Sequence, residues 1–211
     1  DFLRVREYAL NRDLSDDALF AEFAEWVDVA YFTDYIIAQT YFANSDMFNQ
    51  KYWRSQDYSV KWRPVFFDLD FGLHSSSPTR NILSSYFRVE GVPSQDGSLT
   101  NMDIYVGLRK NAAWRDYFCE RYVYVVLNHF NSERLCAILD EIAAQLRAEW
   151  PRHAARWSDA PSLSKWESNV AALRDCLAKR AEYALKYLQK EFGVSDEKMQ
   201  EYRAKALAAS A

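Results

Sequence analysis

Between residues 44 and 72 the chain sets two clusters of acids and amides, Asn44-Ser-Asp46-Met-Phe-Asn49 and Phe66-Phe67-Asp68-Leu-Asp70-Phe-Gly72, on either side of what reads as one β-hairpin. Gln50 to Arg54 and Lys61 to Phe67 are rich in aromatic and β-branched residues and flank Ser55-Gln-Asp57-Tyr-Ser59, the pattern of two strands and a turn. Pro64 has no N–H to give to a ladder, so its strand is expected at an edge or locally interrupted. This window limits the possible folds, because the surrounding elements must bring both clusters to one place. Carboxylates and carboxamides on short turns suit a hard cation such as Mg²⁺, which takes oxygen ligands and keeps waters and phosphate oxygens in its other positions. Two neighbouring carboxylates repel each other unless a cation or a proton intervenes, so an unpartnered Asp68/Asp70 pair is destabilising in a way that metal would relieve. Taken alone, Asp-x-Asp at a strand end is also a common turn former. If the strand persists, alternation points Asp68 and Asp70 to the same side, and if it turns they point to one shared cation.

The rest of the chain reads as scaffold. With 211 residues it is long enough for a sizeable core, and 49% hydrophobic residues, five Gly and five Pro favour a helix-rich globular protein. Net charge is −4 with basic residues interspersed among acids, so no continuous basic stripe marks a nucleic-acid partner. No apolar run approaches the ~20 residues that span a bilayer, and no segment resembles a signal peptide, so a soluble piece is expected. The sequence starts at Asp1 rather than Met, which leaves room for an upstream segment or domain and leaves localisation open. Cys119, Cys136 and Cys176 are odd in number, far apart and inside helical patterns, so they read as buried free thiols.

Ser15 with Asp16 and Asp17 predicts an N-cap and a helix near 16–26. Asp28 predicts the cap of a second helix, apolar around most of its circumference and therefore buried, which runs to Asn44. After the acidic turn a loop-rich segment from 73 to 103 contains a predicted short helix near 79–87. Helical stripes follow at Trp114, Phe118, Tyr122, Val125 and His129, and at Leu135, Leu139, Ile142 and Leu146. Ser164 and Glu167 fit a capping box for a long helix that Gly193 ends, and Ser195 opens a last one. His129 reads as a packed histidine, His153 as a surface one, and His74 as a neighbour of the acidic turn. Charged faces after residue 133 read as solvated helix surfaces. Trp53 and Trp62 have two readings, base stacking and hairpin packing, and the loop 88–103 reads equally as a peptide-binding loop or a linker.

The order buried helix, acid-and-amide loop, hairpin and Asp70-Phe71-Gly72 turn is that of a protein-kinase C-terminal lobe, although no His-Arg-Asp triplet is present. Read as one window, residues 41–72 resemble the spore-coat protein H (CotH) family of atypical kinases. Those carry an Asn-x-Asp turn, an aromatic strand and a Trp-containing strand leading into Asp-x-Asp. The resemblance extends with less specificity from about residue 15 to 190.

That resemblance implies a mainly α fold with a small β-hairpin, an atypical kinase-like C-terminal lobe over 1–194 with its site at 44–72 and its helical part at 104–194, and a helical tail at 195–211. It implies transfer of the ATP γ-phosphate to Ser or Thr of a protein substrate with Mg²⁺ or Mn²⁺, in a secreted, cell-surface or spore-coat setting. Asp46 takes the place of the catalytic acid, Asn49 that of a metal or phosphate ligand, and Asp68 and Asp70 those of metal ligands, with Asp68 ranked first. Asn44 is a candidate nucleotide contact, with a helix C-cap as its other reading. No Gly-x-Gly-x-x-Gly and no phosphate-pairing Lys ahead of residue 40 are found, so either a separate N-terminal lobe is expected, with the chain alone poorly active, or the nucleotide pocket is built differently. A non-catalytic kinase-like module of a surface protein is the alternative.

Overall fold

The computed structural model describes residues 1–73, 76–88 and 102–209. In chain order the elements are α1 (Phe2–Asn11), α2 (Asp17–Trp26), α3 (Val29–Tyr41), β1 (Tyr52–Trp53), β2 (Arg63–Pro64), α4 (Leu83–Tyr86), α5 (Met102–Lys110), α6 (Ala112–Asn128), α7 (Ser132–Arg147), α8 (Trp150–Arg156), α9 (Leu163–Phe192) and α10 (Asp196–Ala208). The fold is therefore mainly helical with one two-stranded antiparallel ribbon, as the sequence leads one to expect. Among the described residues no helix is long and apolar enough to cross a membrane.

α3 forms the centre. Every residue from Tyr35 to Tyr41 is buried, together with Phe32 and Thr33, and the helix packs against α6, α9 and β2. Its start is fixed by Asp28, whose Oδ1 accepts from the Tyr31 N–H at 3.0 Å while Oδ2 accepts from Arg63 Nε at 2.8 Å. One carboxylate thus caps the helix and pulls the hairpin onto it. Reciprocal backbone bonds, Asp28 N to Trp62 O and Trp62 N to Trp26 O, set the same register. Tyr52 pairs with Pro64 and Trp53 with Arg63, a ladder of two residues. Proline stands inside the second strand and the strand stops after it, as a residue without an N–H should make it do.

Two buried guanidinium groups join distant parts of the chain. Arg6 on α1 meets Asp103 on α5 at 2.8 Å, with side chains 6% and 0% exposed. Arg180 on α9 is 1% exposed and has carbonyls for partners: Nε donates to Tyr41 O, Nη2 to Thr40 O, and Nη1 to both Pro78 O and Arg80 O. The carbonyls of Thr40 and Tyr41 lie at the negative end of α3, which favours a cation there. A charged face expected to be solvated is, at this position, the interior of the protein.

Several boundaries differ from the sequence expectation for local reasons. Asp16, not Ser15, caps α2, accepting from Ala18 and Leu19 N–H groups. α9 starts two residues early, because Ser162 Oγ accepts from Lys165 N and the preceding Pro161 carbonyl is held by Trp150 Nε1. Glu167 pairs instead with Arg147. The helix predicted near 79–87 shortens to Leu83–Tyr86, and α1 and α8 are additional. Ile142 and Leu146 are half exposed although Leu135 and Leu139 are packed. Before Cys176 no residue of α9 is buried, so α7, α8 and the start of α9 form an arm with little behind its apolar stripe. His129 is exposed, with Tyr124 edge-on to its ring. The cysteines are buried and free, and Gly193 ends α9 at φ 63°, as expected.

Replacing Arg180 by Met keeps the volume and removes the donors of the Tyr41, Pro78 and Arg80 carbonyls. Urea denaturation is expected to show a loss of about 3 kcal/mol or more, and Arg180→Lys should recover less than half, since an ammonium cannot reproduce the planar fork.

Candidate functional site

The first acid loop leaves from the clamped end of α3, and the second is tied back to it. Phe42 ends the helix and Ala43 takes a left-handed conformation at φ 49°, turning the chain into Asn44. Asn44 is 2% exposed and spends both ends of its amide internally. Nδ2 donates to Gln39 Oε1 at 2.8 Å and to Asp68 O at 3.4 Å, while Oδ1 accepts from Asp46 N–H at 3.2 Å. It fastens the first loop to the second and both to α3. Gln39, the buried amide behind it, was not singled out from sequence; a Gln inside an otherwise apolar buried helix is the signal that could have found it, since buried polar groups carry partners.

The second loop arrives from β2 through Val65 N to Lys51 O at 2.7 Å, and then leaves strand geometry. Asp68 is left-handed at φ 58°. The persistent strand that would align Asp68 and Asp70 by alternation is therefore absent, and a turn brings them together instead. Gly72 N donates to Leu69 O, and Leu73 N donates to Phe42 O at 2.7 Å, tying the turn back to α3. A Cβ on Gly72 would lie 2.8 Å from the Leu69 carbonyl and 3.4 Å from Phe42, so the Asp-Phe-Gly glycine is required by close approach.

Asn49 and Asp68 meet directly, Nδ2 donating to Oδ2 at 2.5 Å. Asp68 is pushed above the ordinary carboxyl range, first by a hydrogen bond shared with Asp70, then by some loss of hydration and by the charges of Asp70 and Asp46; the Asn49 amide opposes this. The groups that raise it are acids, so Asp46, Asp68 and Asp70 form a region of crowded negative charge that a cation or proton stabilises. Asp46 is half-buried, while Asn49, Asp68 and Asp70 are exposed. Among the described residues no three or more His, Cys, Asp or Glu side chains form a ready-made metal cage. Two carboxylates and an amide nevertheless fit Mg²⁺, which is held by one or two carboxylates and completes its shell with water and phosphate.

Other groups fall away from this centre. The Tyr86 hydroxyl, fully buried and sensing the charge of Asp46, has no hydrogen-bond partner among the described residues. Trp62 packs edge-on against Phe2 and faces Arg54, and Trp53 is largely exposed. A separate surface pocket of about 310 Å³ is lined by Arg4, Trp26, Arg54, Tyr58 and Trp62 among others, and by none of the three acids. His153 is exposed; His74 and most of the loop 88–103 lie outside the described residues.

The raised Asp68 carboxyl gives a signed pH dependence. The folded chain holds a proton that the unfolded chain releases, so the stability from this group is complete below about pH 4 and is lost as pH rises through the raised value. Asp70→Asn removes the main cause. Its melting temperature is expected to exceed the parent's at pH 7, with the difference closing near pH 4, and added MgCl₂ should raise the parent's melting temperature more than the variant's.

The sequence matches the family described as CotH kinase protein over residues 5–184. No curated protein and no solved structure gives a match. The matched span holds the two acid loops, the hairpin between them and the Arg180 clamp, and the chain belongs to the CotH kinase family.

Proposed function

We propose that the Asp46, Asn49, Asp68 and Asp70 cluster is the catalytic-loop and metal half of a protein kinase that moves the γ-phosphate of ATP to a Ser or Thr hydroxyl of a protein substrate. The observation that carries this reading is the Asn49–Asp68 hydrogen bond with Asp70 on the other side of the same carboxylate and Asp46 charging it from the adjoining loop. Asp68, Asp70 and Asn49 would hold Mg²⁺ or Mn²⁺. Such an ion, when bound, neutralises charge on the phosphate oxygens.

The half-buried Asp46 carboxylate faces the incoming hydroxyl, orients it and accepts its proton as the oxygen attacks phosphorus and ADP departs. Asn44 has both amide atoms engaged within the protein, which favours a positioning role, holding the Asp46 loop at a fixed distance from Asp68, over the nucleotide contact expected from sequence. Rigid placement of this kind supplies much of the acceleration in phosphoryl transfer, where the protein has little covalent chemistry to perform. The proposal includes an N-terminal lobe that closes over the nucleotide, and the chain by itself is expected to transfer phosphate poorly.

The test uses the longest natural form of the protein, with folding checked by circular dichroism. Asp46→Asn should bind Mg²⁺-ATP in calorimetry with little change and lose ~10²–10⁴-fold in phosphate transfer. Asp68→Asn should lose the metal dependence of nucleotide binding. If both variants bind and phosphorylate like the parent, the roles are wrong, and a non-catalytic module of a surface protein is what remains.

A further inference from the structure

Beyond the acidic turn, α4 lies against α9 and encloses with it a pocket of about 210 Å³ lined by Asn81, Ser84, Arg88, Tyr187, Lys190 and Glu191. Its wall is fixed, since Tyr187 Oη donates to Thr79 O at 2.7 Å. Its charge is unbalanced. Glu191 is the one acid of that lining, its side chain is 8% exposed, and two guanidinium groups share it, Arg109 at 2.7 Å and Arg88 at 3.2 Å. Arg109 is the better satisfied, with a second bond to Glu191 O at 2.8 Å. The Arg88 side chain is 69% exposed, so most of its donors remain open, and Lys190 makes no ion pair among the described residues. Two guanidinium groups thus share one carboxylate, and Lys190 adds a third positive charge to the pocket, in a chain whose net charge is −4. Ser84 lines this space and its hydroxyl makes no side-chain hydrogen bond among the described residues, whereas Ser162 and Ser195 use theirs to cap helices.

We propose that Ser84 is a phosphorylation site and that the pocket is the receptor for its phosphate. In the modification the Ser84 Oγ attacks the γ-phosphorus of ATP, the bond to ADP breaks, and the hydroxyl proton passes to the base of the phosphorylating kinase. The product carries close to two negative charges and three acceptor oxygens. Arg88, which lines the same pocket, supplies a fork of donors and Lys190 an ammonium from α9, so the surplus positive charge is matched. The result is a charge-assisted tie between α9 and the segment 76–88 that leads away from the acid turn. Glu191 then keeps Arg109 while Arg88 turns to the phosphate.

The test installs phosphoserine at position 84 in the full chain and reads thermal stability. A rise of about 2–4 °C in melting temperature is expected, shrinking in 1 M NaCl and disappearing in the Arg88→Ala, Lys190→Ala double variant, each compared with its own unphosphorylated form. Peptide mass mapping of the protein from its natural cells is expected to place phosphate on Ser84. No stabilisation, a gain that survives loss of both cations, the same gain from inorganic phosphate on Ser84→Ala, or an unmodified Ser84 in the natural protein would each overturn the proposal. None of these readings needs phosphate transfer by this chain, so failure here and failure of the kinase assignment are separate outcomes.

Discussion

The arrangement around residue 44 depends on a cation buried without a carboxylate. A guanidinium taken out of water is strongly unfavourable unless its donors are met, and Arg180 gives four of its five N–H groups to main-chain carbonyls from two separate segments. Thr40 and Tyr41 end the central helix; Pro78 and Arg80 follow the acidic turn. Because carbonyls rather than another side chain satisfy the charge, the contact positions backbone. It holds the start of the first acid loop and the exit of the second against one rigid group, and Leu73 N to Phe42 O closes the circuit.

Within that frame, neutral amides do the fastening and carboxylates are left near solvent. Gln39 and Asn44 are buried and bonded to each other, and Asn49 reaches outward to Asp68. A satisfied neutral network can be buried at little penalty, whereas buried carboxylates without a cation partner would protonate. The separation lets the acids stay available to a cation while the loops that carry them stay fixed.

Much of this could be read from residues alone. The all-round apolar helix, the hairpin interrupted at Pro64, the convergence of Asn49 with Asp68 and the Asp-Phe-Gly turn follow from local periodicity, turn chemistry and the chemistry of oxygen ligands. Arg180 could not be read in this way. On a helix with charges on both sides it looks like a solvated residue, and its partners are 100 to 140 positions distant. Asn44 was ambiguous because an amide after a helix serves equally as cap, ligand or bridge until the facing loop is known. The exposure of Ile142 and Leu146 was hidden for the opposite reason: periodicity gives the direction of an apolar face but not whether anything lies behind it.

The Arg180 contact also sets an order of events during synthesis. A ribosome emits this chain from its amino end, so the carbonyls of residues 40 and 41 wait for more than a hundred further residues before their guanidinium emerges. Until then the nascent acid loops have only their bonds to each other and to the end of α3. Any truncation short of α9 is left with a complete set of functional side chains on a backbone that has lost its guanidinium clamp.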